Sequence, residues 1–350
     1  MDKKIAYWLF LVSLFICIMV VFGGLVRLTY SGLSIVEWKV ITGVLPPLSE
    51  AQWQEEFDKY RQTPQYEKVF PDMTLGEFKF IYYMEYTHRL LGRITGLLFV
   101  LPFIYFWFRK AIPPKDLPLF IGIGVLFAFQ GLFGWWMVKS GLVDQPQVSH
   151  YRLTGHLVLA LLLLALTFLT ALRYLFRQRP MVYARLSPSA HKVVNWIPFF
   201  LLIQAALGGM VAGLKAGLVS DTFPKMLGSW IPSFIWSMKP LYKNFLENPF
   251  MLHFLHRWFG VALFLMISLV SIKFRRDGQP LGLLLSLRLL WGLTTVQVFL
   301  GIFTVLFKVP ILLASLHQLV ALGVFLSALF LAHIARQPTK YRENLAPAGG

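Results

Sequence analysis

Eight apolar runs, each about long enough to cross a lipid bilayer, constrain this chain more than any other feature. They cover roughly residues 5–26, 86–108, 117–138, 153–175, 192–213, 251–272, 283–307 and 311–335. A span needs about 20 apolar residues, since the hydrocarbon core is about 30 Å thick and a helix rises about 1.5 Å per residue. Lipid offers backbone N–H and C=O groups no partner, so each run must satisfy its own and is expected to be helical. Composition agrees: the chain is 57% hydrophobic and 14% charged, against about 25% charged in a soluble domain. The expected fold class is therefore an all-α polytopic membrane protein with eight transmembrane helices. The first run follows Met1-Asp2-Lys3-Lys4 directly and has neither the short core and small-residue cleavage site of a signal peptide nor an Arg- and Ser-rich presequence. A retained helix of a bacterial inner-membrane protein is the expectation.

The formal charge of +17 raises nucleic-acid binding as a reading, but the basic residues lie mostly in short loops between apolar runs, where they report topology. With the N-terminus inside, the cytoplasmic segments hold Lys3, Lys4, Arg109, Lys110, Lys115, Arg173, Arg177, Arg179, Arg185, Lys192, Lys273, Arg275, Arg276, Arg288, Arg336, Lys340 and Arg342, against the acids Asp2, Asp116, Asp277 and Glu343. Both termini are thus expected in the cytoplasm, and no nucleic-acid partner is implied. The single cysteine, Cys17, lies within the first run. It excludes an intrachain disulfide and any cysteine-built zinc or iron–sulfur site.

Two long connections fall on the outer side, about 27–80 and 214–250. In the first, Ser49 with Gln52 and Thr74 with Glu77 read as capping boxes. The helix after Ser49 carries a Trp53, Phe57, Tyr60 stripe and ends before Pro64; the Thr74 box leads into the second run. The second connection is rich in Pro, Trp and Lys. Such loops suit a roof over a site at the outer surface, although an aromatic belt at the membrane interface explains them equally well.

The two halves of the chain resemble one another. Gly23-Gly24-Leu25-Val26 is echoed by Gly208-Gly209-Met210-Val211, and Gln130-Gly131-Leu132-Phe133-Gly134 by Gln297-Val298-Phe299-Leu300-Gly301. Glu85-Tyr86-Thr87-His88-Arg89-Leu90-Leu91-Gly92 is echoed by His253-Phe254-Leu255-His256-Arg257-Trp258-Phe259-Gly260. The offsets agree, 256 − 88 = 168 and 297 − 130 = 167. An even number of spans per half inserts both copies the same way, so the pattern predicts two pseudo-symmetric four-helix bundles, residues 1–180 and 181–350.

Of eight histidines, His191 and His333 lie near cytoplasmic helix ends, where capping or interfacial roles suffice. The repeat pairs His88 with His256, while His156 and His317 both sit just inside the outer ends of the fourth and eighth runs. Two imidazoles per bundle at similar depth are what is needed to clamp a planar macrocycle from both faces, and bis-histidine haem is the candidate. The residues four positions on are Gly92, Ala160, Gly260 and Ala321. They would leave room for a porphyrin edge, or serve ordinary small-residue helix packing. Arg89, Arg93 and Arg257, with Arg27 and Arg152 near the same boundary, suit haem propionates, or else snorkel to lipid headgroups. Glu85 is matched by His253 (253 − 85 = 168), so only the first half has an acid beside its site. That acid is a proton acceptor or an anionic stabiliser of developing positive charge, or the salt-bridge partner of Arg89 one turn on. On the residues alone, a di-haem cytochrome b of a quinol-linked electron-transfer chain fits the same ligands. A transporter built on a duplicated bundle fits the repeat but leaves the histidines idle.

Glu85-x-x-His88-Arg89 with Gly92-Arg93, Gly23-Gly24-Leu25-Val26-Arg27-Leu28-Thr29, Ser31-Gly32-Leu33-Ser34, Glu77-Phe78-Lys79-Phe80-Ile81-Tyr82-Tyr83-Met84 and Tyr151-Arg152-Leu153-Thr154-Gly155-His156-Leu157 resemble the haem A synthase family, in its proteobacterial and mitochondrial branch. The resemblance covers essentially all eight helices. It implies a membrane oxidoreductase that oxidises a ring methyl of haem O to a formyl group, giving haem A for cytochrome oxidase. It implies a substrate haem held by His88 and His156 in the first bundle and a haem b cofactor held by His256 and His317 in the second. Arg89, Arg93 and Arg257 would lie beside them, and Glu85 would be the catalytic acid. Glu37 falls where the family often has an acid. Implied partners are haem O, an electron donor or acceptor, haem O synthase and cytochrome oxidase assembly factors, with homo-oligomerisation left open. Some bacterial members carry cysteine pairs on the outer loops; this chain has none there, so a thiol-based redox step cannot operate in it.

Overall fold

The computed structural model describes residues 1–350 except 39–41, 144, 178–187, 275–280 and 336–350. Outside the described residues lie Arg179, Arg185, Arg275, Arg276, Asp277, Arg336, Lys340, Arg342 and Glu343 of the charge-bias argument, and the side chain of His191. Among the described residues the secondary structure is helical, with eight helices long and apolar enough to span. They are α1 (Asp2–Leu28), α4 (Leu75–Phe108), α5 (Leu117–Lys139), α6 (His150–Leu175), α7 (Pro188–Gly213), α9 (Pro249–Lys273), α10 (Leu281–Leu306) and α11 (Ile311–Ala335). Short helices α2 (Glu50–Arg61) and α3 (Pro64–Val69) lie in the first long connection, and α8 (Lys243–Glu247) in the second.

The largest departure from the apolar runs is at α4, which begins at Leu75 rather than near 86. Hydropathy sees only the part that suits lipid, whereas the helix is started by the Thr74 box, whose side chain accepts from the Glu77 N–H while Glu77 reaches back. At 34 residues and about 1.5 Å each it is about 50 Å long, against a hydrocarbon core of about 30 Å. Its N-terminal part extends beyond the apolar run and carries Phe78, Ile81 and Tyr82. The Ser49 box starts α2 in the same way. The Trp53, Phe57 and Tyr60 stripe of α2 then buries against that part of α4 and Ile35. The cluster lies outside the apolar runs, and in an aqueous setting such burial contributes about 1.5–3 kcal/mol per side chain. The first connection is therefore folded onto the helix that carries Glu85 and His88.

In the spans that driving force is missing, because lipid is as apolar as leucine; packing and small residues decide which helices meet. The contacts form two rings. In one, α1 packs on α4 and α6, and α5 on both α4 and α6; in the other, α7 packs on α9 and α11, and α10 on both α9 and α11. The rings share a broad interface where α1 meets α11 and α6 meets both α7 and α11. Helix α11 serves two cores. Leu322, Phe325 and Leu329 join the α1, α4, α5, α6 core, while Val324, Ala328, Leu331 and Ala335 join that of α7, α9 and α10. On the outward face of α1, Tyr7, Leu11, Leu14 and Ile18 stay exposed, as lipid-facing positions do.

Candidate functional site

The four histidines singled out by spacing take matching places in the two rings. His88 on α4 and His156 on α6 lie in the first. His256 on α9 and His317 on α11 flank the second, ring centres 6.4 Å apart and planes at 76°. Each keeps some accessible surface. A transition-metal–imidazole bond is about 2 Å, so this separation leaves room for one ion between the two rings. Buried Nδ1 atoms of His156 and His317 have no hydrogen-bond partner. Among the described residues no three His, Cys, Asp or Glu converge. Two imidazoles therefore suit a metal that brings its own equatorial ligands, as a porphyrin iron does.

What makes room for each ring is a glycine on the neighbouring helix. A methyl group built on Gly23 or Gly134 would come within 3.0 Å of His88 or His156, and one on Gly208 or Gly301 within 3.1 or 3.0 Å of His256 or His317. These glycines belong to the repeated segments of the sequence, but their role is visible only once the helices are side by side. The residues four positions after His88 and His256 have side chains of neighbouring helices against them, as in small-residue helix packing. Gly92 is covered by Met19 and Gly260 by Gln204. Sequence reasoning also missed three glutamines. Gln130 Nε2 reaches the His156 ring at 3.3 Å and donates to its carbonyl at 3.1 Å; Gln204 Nε2 does the same to His256 at 3.2 and 3.0 Å. Gln297 Nε2 lies 3.3 Å from His317 Nε2. Their appearance in the repeat, Gln130 against Gln297, was the available signal. In the first ring phenylalanines stack on the imidazoles, Phe22 on His88 and Phe133 on His156, both at 6.4 Å.

Glu85 is 3% exposed and fully partnered. Its Oε2 accepts from Ser34 Oγ (2.8 Å) and the Ile35 N–H (2.9 Å), and its Oε1 from Arg89 Nε (3.1 Å) and Nη2 (2.6 Å). The Arg89 ion pair envisaged for it is present. Arg89 also donates to the Ile35 and Glu37 carbonyls at 2.9 and 3.1 Å. The second half repeats the device with different chemistry. Arg257 donates to His253 Nε2 (2.9 Å) and to the Ser220 and Thr222 carbonyls (3.2 and 2.6 Å). The carbonyl partners correspond at one offset, 220 − 35 = 185 and 222 − 37 = 185, as do the glycines, 208 − 23 = 185. In each half an arginine thus ties the loop leaving the first helix to the helix bearing the first histidine. Both guanidinium groups thus give donors to these loops through Nη1 and Nη2. Arg93 lies one turn further along α4. Arg27 donates to the Ala212 carbonyl across the shared interface, and Arg152 to the Trp136 carbonyl at 2.7 Å. Glu37 pairs with Lys59 at 3.2 Å, and His150 Nε2 lies 3.1 Å from the Leu246 carbonyl. A cavity of about 210 Å³ opens beside Arg89, lined by Val36, Glu37, Trp38, Trp135 and Lys139.

Eight helices long and apolar enough to span, two pairs of histidines among them and a buried carboxylate one turn from His88, define a polytopic α-helical membrane protein. Residues 6–329 match the family described as cytochrome oxidase assembly protein, and this chain belongs to that family. It is 44% identical to the "Heme A synthase" of Nitrosospira multiformis over 96% of this chain and 94% of that protein. It is 42% identical to the "Heme A synthase" of Parvibaculum lavamentivorans, over 95% and 94% of the two chains, and 41% identical to that of Ehrlichia canis, over 95% and 93%.

Proposed function

We propose that this chain is a haem A synthase of the bacterial inner membrane, oxidising a ring methyl of haem O to the formyl group of haem A for cytochrome oxidase. The observation that carries the reading is the paired placement of His88 with His156 and His256 with His317, each ring seated on a glycine, in a chain whose relatives bear that enzyme's name over nearly its whole length. Those names favour the synthase over a quinol-linked electron-transfer cytochrome, which would need the same ligands.

In this reading His88 and His156 bind the substrate haem, and His256 and His317 hold a haem b cofactor. That cofactor supplies one-electron redox chemistry when bound. Glu85 fixes a negative charge one turn from His88, where it stabilises positive charge developing on the substrate and is the nearest anchored proton acceptor. Arg89 holds that carboxylate in place and ties the 35–37 loop to α4; Arg257 ties the 220–222 loop to α9. Phe22 and Phe133 wall the first site with aromatic faces suited to a flat macrocycle. The N-terminus lies inside, which puts both histidine pairs near the periplasmic boundary, and the halves are two related bundles. The electron partner, haem O synthase and other assembly factors meet the enzyme as separate proteins.

Pigment extraction tests the proposal. Protein purified from cells co-expressing haem O synthase is expected to yield haem b together with haem O or its oxidised products. Tightly held haem b alone would favour electron transfer, and a colourless protein would rule out both haem readings.

A further inference from the structure

The second long connection turns polar side chains inward and apolar ones outward. Asn244 and Asn248 are buried. Asn244 Oδ1 accepts from the Met238 N–H at 2.9 Å, and its Nδ2 donates to the Met238 and Leu241 carbonyls at 2.9 and 3.0 Å. Asn248 Nδ2 donates to the Phe234 carbonyl at 2.9 Å. These amides satisfy backbone groups of the loop from within. Outside, nine large apolar side chains between Leu227 and Leu246 are 43% or more exposed, among them Ile231, Phe234, Trp236, Leu241 and Tyr242. Ring contacts of Trp236 with Phe245 (5.7 Å), Phe234 with Phe250 (5.6 Å) and Trp230 with Trp258 (6.0 Å) carry the patch onto the N-terminal turns of α9. Residues 222–246 hold three lysines, Lys225, Lys239 and Lys243, and no acid. The first connection is built the other way. It carries six acids from Glu50 to Asp72, and Trp53, Phe57 and Tyr60 pack inward against α4.

We propose that residues 225–246 form a lobe that lies in the lipid interface where α7 ends and α9 begins, with its lysines on the phosphates of anionic phospholipids. In the orientation given above this is the outer leaflet. Contiguous exposed apolar surface marks a binding face, and three features choose lipid as its occupant over a protein. Trp and Tyr beside Lys are the residues of the bilayer interface, where amphipathic rings sit at headgroup level. A segment with three lysines and no acid complements anionic headgroups. The patch also runs onto a spanning helix, so lipid already lies next to it. The lobe is held in place at both ends. Arg257 donates to the Ser220 and Thr222 carbonyls, and His150 Nε2 lies 3.1 Å from the Leu246 carbonyl. A backbone fixed in this way has little conformational freedom left to lose on entering the interface. Packing within the protein gives no reason for a loop to bury Asn244 and Asn248 while exposing Trp236 and Tyr242; contact with lipid does.

Fluorescence quenching on the full-length protein tests this, with Cys17→Ser in the background so that one cysteine at a time is labelled. Ile231→Cys and Tyr242→Cys carry a nitrobenzoxadiazole dye in vesicles of phosphatidylethanolamine and phosphatidylglycerol. Both labels are expected to be quenched by nitroxide-bearing phospholipid and spared by aqueous iodide, as Leu265→Cys on α9 should be. Glu55→Cys on α2 should show the reverse. Quenching of the lobe labels by iodide would put the lobe in water, and protection from both quenchers would put it under protein, a second copy or another chain; either overturns the proposal. With the nitroxide carried by phosphatidylglycerol, quenching at position 242 is expected to exceed that from phosphatidylcholine, and Lys239→Gln with Lys243→Gln to erase the difference. Equal quenching by the two lipids before those substitutions overturns the role given to the lysines. Unsubstituted protein supplies a check that no misfolded variant can spoil. Hydroxyl-radical footprinting in the same vesicles should modify the exposed Leu45 and Leu48 of the first connection and spare Trp230 and Trp236; oxidation of those two tryptophans overturns the proposal. None of these readouts depends on bound haem, so failure here leaves the synthase reading intact.

Discussion

Replacing Glu85 by glutamine keeps its shape and removes its charge, and the surrounding donors allow the consequence to be worked out. All four hydrogen bonds to the carboxylate come from donors: Ser34 Oγ, the Ile35 N–H and two nitrogens of Arg89. An amide has one acceptor oxygen. If that oxygen faces Arg89, the amide NH2 meets the Ile35 N–H, while Ser34 adapts by turning its one proton to the Ser31 or Ile81 carbonyl (2.9 and 3.2 Å) and accepting from the NH2. If it faces Ile35, the NH2 meets the guanidinium, which is worse because a partly buried cation loses its counter-charge. The first arrangement leaves one buried backbone donor unsatisfied, at about 1–3 kcal/mol. A central value of about 2 kcal/mol raises the opening equilibrium of the anchored loop about 30-fold, since about 1.4 kcal/mol is tenfold. Hydrogen exchange read by mass spectrometry should show faster exchange in Ser31–Trp38 and little change in α6 or α11. Haem should remain bound and formyl formation should stop. Unchanged protection of Ser31–Trp38 would refute the anchoring role, and parental haem A yields would remove Glu85 from the chemistry.

His256→Ala should abolish the b-type low-spin spectrum while circular dichroism stays helical; an intact spectrum would mean that another residue ligates. Gly301→Val, whose side chain would collide with His317, should lose the second-half haem. Gly131→Ala, where nothing lies within 4 Å, should retain pigment and gain up to about 1 kcal/mol of helix stability. Phe57→Ala removes a ring that is 2% exposed and packed on Phe78 with ring centres 5.0 Å apart. It should cost the outer cluster about 3–5 kcal/mol, read as rapid proteolysis of the 27–74 connection; parental resistance would show that the cluster does not hold it.

The spans, the two capping boxes and the four histidines were legible in the amino-acid sequence because each is a local or periodic matter. Backbone in lipid has no partner but itself, so length and apolarity settle which segments are helices. Ser49 with Gln52 and Thr74 with Glu77 are three apart, within reach of one turn. The start of α4 shows the limit of hydropathy, since its first turns are set by the Thr74 box and packed against α2. The partners of Arg89 were not legible: the Ile35 and Glu37 carbonyls are 54 and 52 positions away. Nor were the glycine beneath each histidine or the amide of Gln204, 52 positions from His256. In water, an amphipathic stripe announces which face of a helix turns inward. In lipid every face is apolar, and the order of helices, with the close approaches that small residues permit, decides which side chains meet. The histidines proposed to bind haem therefore stand in the sequence; what packs against each ring is decided by the tertiary structure.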